Sequence, residues 1–280
     1  MDPGPLRDAL TLIAGLATGV LSAAFGVGGA TISTPAIRLL GAPALVAVGT
    51  TLPSILPSAI TGTLRYTREH IIQWRIVAWT GPVGMVASVA GSLLSNVVPG
   101  NGHLLMLLTA GLLGFTSWRM ARSLNEVQAD VVRDAGSLAA TESDDAISAI
   151  YRGTPRDTRG VLIGIGVVAG LLSGLLGVGG GVVMVPAFTE IAGVRIKPAI
   201  ASSLACVGLL ALPGTITHAF LGDIDWRFAL LLAVAVVPGA RLGAVLAIRA
   251  DRRNLRLSVA VFLGVVSVLY AAGELISLAR

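Results

Sequence analysis

A single cysteine, Cys206, stands in a chain of 280 residues, which excludes an internal disulfide and a thiolate-based zinc site. Charge is scarce as well. Only 12% of the residues are charged, against about 25% in an ordinary soluble domain. No apolar stretch holds a carboxylate pair, a His–Glu metal pattern or a nucleophile beside a base. The chain is therefore expected to be no enzyme, to bind no metal and to need no cofactor. The net charge is +5, from 20 basic and 15 acidic side chains, with Arg greatly outnumbering Lys. Without a Lys/Arg-rich soluble domain to lie on a duplex, this excess reads as cytoplasmic anchoring and not nucleic-acid binding. One Arg precedes the first apolar run and no small-residue cleavage site follows it, so Gly15 to Ala30 is expected to stay in the mature protein.

What the chain does have is apolar length. Hydrophobic residues make up 54% of it and its mean hydropathy is +0.84. Runs of roughly 20 apolar residues recur, so the bilayer is the expected solvent. Spans are predicted over 43–64, 76–97, 103–118, 199–220, 228–248 and 257–278. Between the halves lies 119–160, with six Arg and seven acids, read as a polar linker and partly as an amphipathic helix.

One phrase occurs twice, 151 residues apart: GVLSAAFGVGGATISTPA from Gly19 and GLLSGLLGVGGGVVMVPA from Gly170. Nine of the 18 aligned positions are identical, including Gly26/Gly177, Gly28/Gly179, Gly29/Gly180 and Pro35/Pro186. Pro43-Ala44 is answered by Pro198-Ala199, and Trp74-Arg75 by Trp226-Arg227. Trp beside Arg at a helix start suits the membrane–water interface.

The glycine-bearing segments 10–41 and 161–194 are awkwardly long. Thirty-two residues make about 48 Å of helix, whereas one crossing needs about 30 Å and two need about 60 Å. A hairpin broken at GVGG inside the membrane resolves this, provided that the non-helical backbone is covered by protein or faces water. Charge gives a second test. With both segments as simple crossings, seven basic residues of the short connections and ends face six. With both re-entrant, Arg65, Arg68, Arg75, Arg195, Lys197, Arg249, Arg252, Arg253 and Arg256 face Arg7, Arg38, Arg227 and Arg280, nine against four. The positive-inside rule favours the second arrangement. The expected fold is all-α: two inverted repeats, 1–118 and 161–280, each a Gly-broken re-entrant helix pair plus three transmembrane helices. The linker is expected in the cytoplasm and both termini outside.

Paired, interrupted apolar segments in corresponding halves point to a transporter's substrate site. Neither glycine loop completes a dinucleotide fingerprint, and neither is followed by the Lys-Ser/Thr of a phosphate loop. Half-helices that start after the loops would aim unpaired N–H groups and positive dipole ends into the membrane, a site for an anion. Gly26, Gly28, Gly29, Gly177, Gly179, Gly180 and Gly181 are the candidates there. Close helix packing is the structural alternative for these glycines. Thr31, Thr50, Thr51, Ser54, Ser202 and Ser203 could donate to oxyanion oxygens, or bond to their own and neighbouring helices. Arg241 lies deep in its span, where a charge costs about 2.5–3.5 kcal/mol on insertion scales. It is expected to face a bound anion or to snorkel. His218 and Glu190 approach membrane depth and could join in proton coupling.

GVGGATISTPA and GVGGGVVMVPA, each introducing a half of apolar segments, resemble the sulfite exporter TauE/SafE family over nearly the whole chain outside 119–160. Ala30 replaces the last glycine in the first copy, and Gly181 retains it. The resemblance implies a multi-pass transporter of the plasma (inner) membrane for small sulfur-containing anions such as sulfite, sulfonates or thiosulfate. The expected function is thus secondary transport of a small anion by alternating access. The alternatives are a non-transporting membrane scaffold or assembly protein, or an anion channel. Expected partners are the anionic solute, membrane lipid and, in a homo-oligomer, further copies of the chain.

Overall fold

The computed structural model describes residues 4–39, 41–95, 103–122, 158–176 and 179–278. They form ten helices, and no strand occurs among them. In chain order these are α1 (Pro5–Phe25), α2 (Ala30–Leu39), α3 (Ala44–Arg68), α4 (Trp74–Ser95), α5 (His103–Arg122), α6 (Thr158–Leu176), α7 (Gly181–Glu190), α8 (Ile196–Leu221), α9 (Trp226–Arg249) and α10 (Arg252–Leu278). Five stretches, Pro5–Phe25, Trp74–Leu94, Ile196–Leu221, Trp226–Arg249 and Arg252–Gly273, are long and apolar enough to cross a membrane. The chain is all-α and polytopic, as expected. The linker helix expected within 119–160 falls almost wholly outside the described residues.

Local chemistry sets the helix ends. Pro5 opens α1 after an extended Gly4, and Gly26 closes it in the left-handed region at φ 67°, where glycine pays no steric penalty. Prolines lie inside α3, α4, α8 and α9, each removing one helical donor. Near Pro213 the hydroxyls of Thr215 and Thr217 donate to Ala211 O and Pro213 O, at 2.8 and 2.9 Å. These are the usual one-turn back-bonds of helical threonine.

Helices of opposite halves pair with each other. On α1, Gly15 faces Leu232 and Ala235, and Gly19 faces Val236 and Ala240 of α9. The numbers rise together, so α1 and α9 are parallel. Gly166 faces Thr80, Gly170 faces Gly84, and Gly174 faces Ser88, which makes α6 parallel to α4 in the same way. A methyl on Gly166 would stand 2.7 Å from the Thr80 carbonyl oxygen. Small residues at these crossings let backbones approach, the usual basis of helix association in lipid. Between α5 and α10 two bonds mirror each other: Ser117 Oγ donates to Ala260 O at 2.8 Å and Ser267 Oγ donates to Ala110 O at 2.7 Å. That pairing is antiparallel.

At the centre, α3 and α8 also run antiparallel. Thr50, near the start of α3, meets Asp225 just beyond the end of α8. Ser202, near the start of α8, meets Gln73 just beyond the end of α3. These contacts define a Trp226 end and a Trp74 end of the bundle. Asp8 of α1 pairs with Arg227 at 2.6 Å, while Ile37 of α2 clusters with Ala47 and Leu232. Both arms of the first hairpin thus meet the Trp226 end. At the opposite end Arg159 lies over the Trp79 ring at 5.3 Å, Glu190 pairs with Arg256, and Lys197 Nζ donates to Ile248 O at 2.7 Å. The second hairpin returns there. The arms are unequal: α1 has 21 residues and α2 has 10.

Candidate functional site where the glycine loops meet

The two loops touch. Gly28 and Gly179 occupy matching positions with nearly the same backbone, φ 90° and 88°. A Cβ built on Gly28 would lie 3.7 Å from Gly179 Cα, and one on Gly179 would lie 3.8 Å from Gly28 Cα. Ile55 and Val207 flank the contact, each about halfway along α3 and α8. The breaks therefore converge between the midpoints of the two central helices.

Glycine is required at most of these places. At Gly26 a side chain would press on Ile200, with its Cβ 2.9 Å from the Ile200 Cα. The Gly26 carbonyl accepts a bond from Ser203 Oγ at 2.8 Å, tying the first loop to α8. A Cβ on Gly29 would meet Thr18 Cγ2 at 2.8 Å. Gly180, at φ 67°, lies against Ala169 and Ser173. Gly181 faces the Val27 backbone, whose carbonyl carbon would be 2.6 Å from an added Cβ. Close packing thus accounts for the glycine retained at that position. Gly177 lies outside the described residues.

Each loop ends where a ten-residue helix begins. At the start of α2 the N–H groups of Ile32 and Ser33 both bond to Gly29 O at 3.1 Å, and at the start of α7 those of Val183 and Met184 bond to Gly180 O at 3.1 Å. Both N-terminal turns are buried in protein, as irregular backbone at membrane depth must be.

The predicted hydroxyls divide into two groups. Thr31, Thr51, Ser54 and Ser203 are fully buried on the helices around the loops. Thr51 donates to Val48 O at 3.0 Å and accepts from Thr34 at 3.1 Å, and Ser54 donates to Thr51 O at 2.7 Å. Thr50 and Ser202 instead join helix ends: Thr50 accepts from Asp225 N–H and Ser202 from Gln73 N–H, both at 3.0 Å. Cys206 is buried, and no metal-binding cluster occurs among the described residues.

Arg241 is not brought to the loops. Gly239, Ala240, Gly243 and Ala244 of α9 are buried, whereas Arg241 is exposed, beside Val234, Leu242 and Leu246 on the outer apolar stripe. It stands two residues from both Gly239 and Gly243, about 200° of helix from each. If those glycines face α1, the arginine must face away. His218 Nδ1 lies 3.1 Å from Asp223 Oδ2 at the Trp226 end of α8, while Glu190 pairs with Arg256 at the other end. Neither reaches the loops. Thr18, fully buried beside Gly29, was not singled out in the sequence. Extending the repeat alignment by a residue sets it against Ala169 and marks a polar–apolar difference.

A polytopic helical bundle with two buried backbone breaks at its centre is the build of a membrane transporter. Residues 11–270 match the family model described as Sulfite exporter TauE/SafE, and the chain belongs to that family. It is 26% identical to the probable membrane transporter protein YunE of Bacillus subtilis, over 93% of this chain and 94% of that protein. It is 25% identical to the probable membrane transporter protein MJ0441 of Methanocaldococcus jannaschii, over 92% of this chain and 93% of the relative. With the probable membrane transporter protein MamO of Magnetospirillum gryphiswaldense it shares 30% identity, over 68% of this chain and 32% of MamO. No solved structure matches.

Proposed function

We propose that this transporter moves a small anion, a sulfur oxyanion or organosulfonate, across the plasma (inner) membrane by alternating access. Gly26, Gly28, Gly29, Gly177, Gly179, Gly180 and Gly181 supply backbone, while Thr31, Thr51, Ser54 and Ser203 supply hydroxyls. The carrying observation is the contact of Gly28 with Gly179 between the midpoints of α3 and α8. Buried N–H groups at helix starts attract an anion without a full positive charge close by. The family name suggests the sulfur chemistry.

The halves act as inverted repeats that rock about this contact. Antiparallel α3 and α8, and the exchange of α1·α9 for α6·α4, support that symmetry. The linker is cytoplasmic and both termini are outside. Arg65, Arg68, Arg75, Arg195, Lys197 and Arg249 gather towards the linker end, in keeping with the positive-inside rule.

The test is flux into proteoliposomes of radiolabelled sulfite, thiosulfate, methanesulfonate and sulfate. Saturable uptake of at least one anion, abolished by Gly28→Val and by Gly179→Val, is expected. Folded protein that moves none of them under any imposed gradient refutes the proposal and favours a scaffold. Flux that does not saturate favours a channel.

A further inference from the structure

Threonine on a helix ordinarily returns its hydroxyl to the carbonyl one turn back. Thr11 does so to Arg7 O at 2.8 Å, as do Thr67, Thr116 and Thr189 to theirs. Thr18 does not. Its side chain is 0% exposed, and its Oγ1 has no hydrogen-bond partner. A buried hydroxyl left unpaired is costly, so its persistence needs an explanation.

The residue sits against the first glycine loop. The contact to Gly29 is so close that a Cβ there would come within 2.8 Å of Thr18 Cγ2. Gly29 in turn leads directly into α2, whose ten residues begin at Ala30. The bare backbone of Gly29 thus places Thr18 beside that helix start.

The second hairpin provides the contrast. In the repeat alignment Thr18 matches Ala169, Thr31 matches Val182 and Thr34 matches Val185, and all six are buried. The backbone breaks are duplicated, and so is one buried hydroxyl, Ser22 and Ser173, but the three threonine hydroxyls are not. Hydroxyls at the Thr18, Thr31 and Thr34 positions thus belong to the first hairpin, whereas that of Ser22 and Ser173 is common to both.

We infer that Thr18 is a substrate ligand, its hydroxyl donating to an oxygen of the translocated anion at the start of α2. The anion is therefore held lopsidedly. The first hairpin provides most of the hydroxyls, and the second provides Ser173, backbone and apolar surface from Ala169, Val182 and Val185. This inference rests on the anion-transport reading above.

The experiment compares uptake of sulfite, thiosulfate and methanesulfonate by wild type, Thr18→Val, Thr18→Ala and Thr18→Ser in proteoliposomes. Thermal unfolding in detergent serves as the folding control. Loss of a hydrogen bond to a charged ligand should raise KM about tenfold or more in Thr18→Val and Thr18→Ala. Thr18→Ser should stay within about twofold of wild type, because it keeps the donor. A folded Thr18→Val or Thr18→Ala with unchanged KM overturns the inference and leaves the transport reading standing. Failure of both variants to fold assigns Thr18 to structure and also overturns it. Absence of uptake by wild type overturns the transport reading and this inference together.

Discussion

The Thr50 hydroxyl accepts the Asp225 N–H at 3.0 Å, and at the matching place in the other half the Ser202 hydroxyl accepts the Gln73 N–H, also at 3.0 Å. Each bond links a central helix to the start of a helix from the other half. Together they fix α3 and α8 as antiparallel neighbours. Thr50→Val and Ser202→Ala should each cost about 1–2 kcal/mol through the orphaned N–H, seen as a lower Tm in detergent. Thr50→Ser should restore it. A Tm unchanged in Thr50→Val would mean that this bond contributes nothing.

The parallel crossings make a sharper stability prediction. Gly174 packs on the Ser88 backbone and Gly243 on that of Val20, with no room for a side chain at either. Gly174→Leu or Gly243→Leu should destabilise by about 1–3 kcal/mol or more through overpacking. Gly164→Leu on α6 meets open space within 4 Å and should be tolerated. The readout is yield of monodisperse protein together with Tm. Equal tolerance of all three would contradict the described packing.

Arg241 should be dispensable for transport. Replacing it with Leu removes a charge from the outer apolar stripe of α9 and relieves a penalty of about 2.5–3.5 kcal/mol on insertion scales. Membrane insertion of α9 should improve, and KM for the transported anion should not change. A tenfold rise in KM would return this residue to the binding site.

Topology is directly measurable. Because the native Cys206 is buried, Gly4→Cys and Ser143→Cys should label against little background. A membrane-impermeant maleimide should reach them from opposite faces of the membrane. Labelling from one face would refute the placement of both termini opposite the linker.

Much of this was legible in the chain because helix length and glycine are hard constraints. Residues 10–41 are too long for one crossing and too short for two, so a buried break at Gly26–Gly29 followed from geometry. Pro43 and Pro198, and Trp74 and Trp226, marked helix starts within a few residues. The unequal arms were not legible, because apolar residues flank GVGG on both sides and do not reveal how far each arm extends. Partner choice was hidden as well. Gly15 and Gly19 announce a close crossing, but only the three-dimensional fold shows that α9 supplies the other side. The direction of Arg241 was readable from its phase relative to Gly239 and Gly243, a signal weaker than its depth and easily outweighed by it. Thr50 and Ser202 looked like ligands because a buried hydroxyl serves a helix end or an anion with the same chemistry.

The meeting of the two loops is tested most directly by Gly28→Cys/Gly179→Cys in a Cys206→Ser background, with a protease site placed within 123–157. Oxidation followed by cleavage should leave the halves joined on a non-reducing gel, and reduction should separate them. Halves that separate despite oxidation, from protein that is folded and monodisperse, would contradict the convergence of the loops.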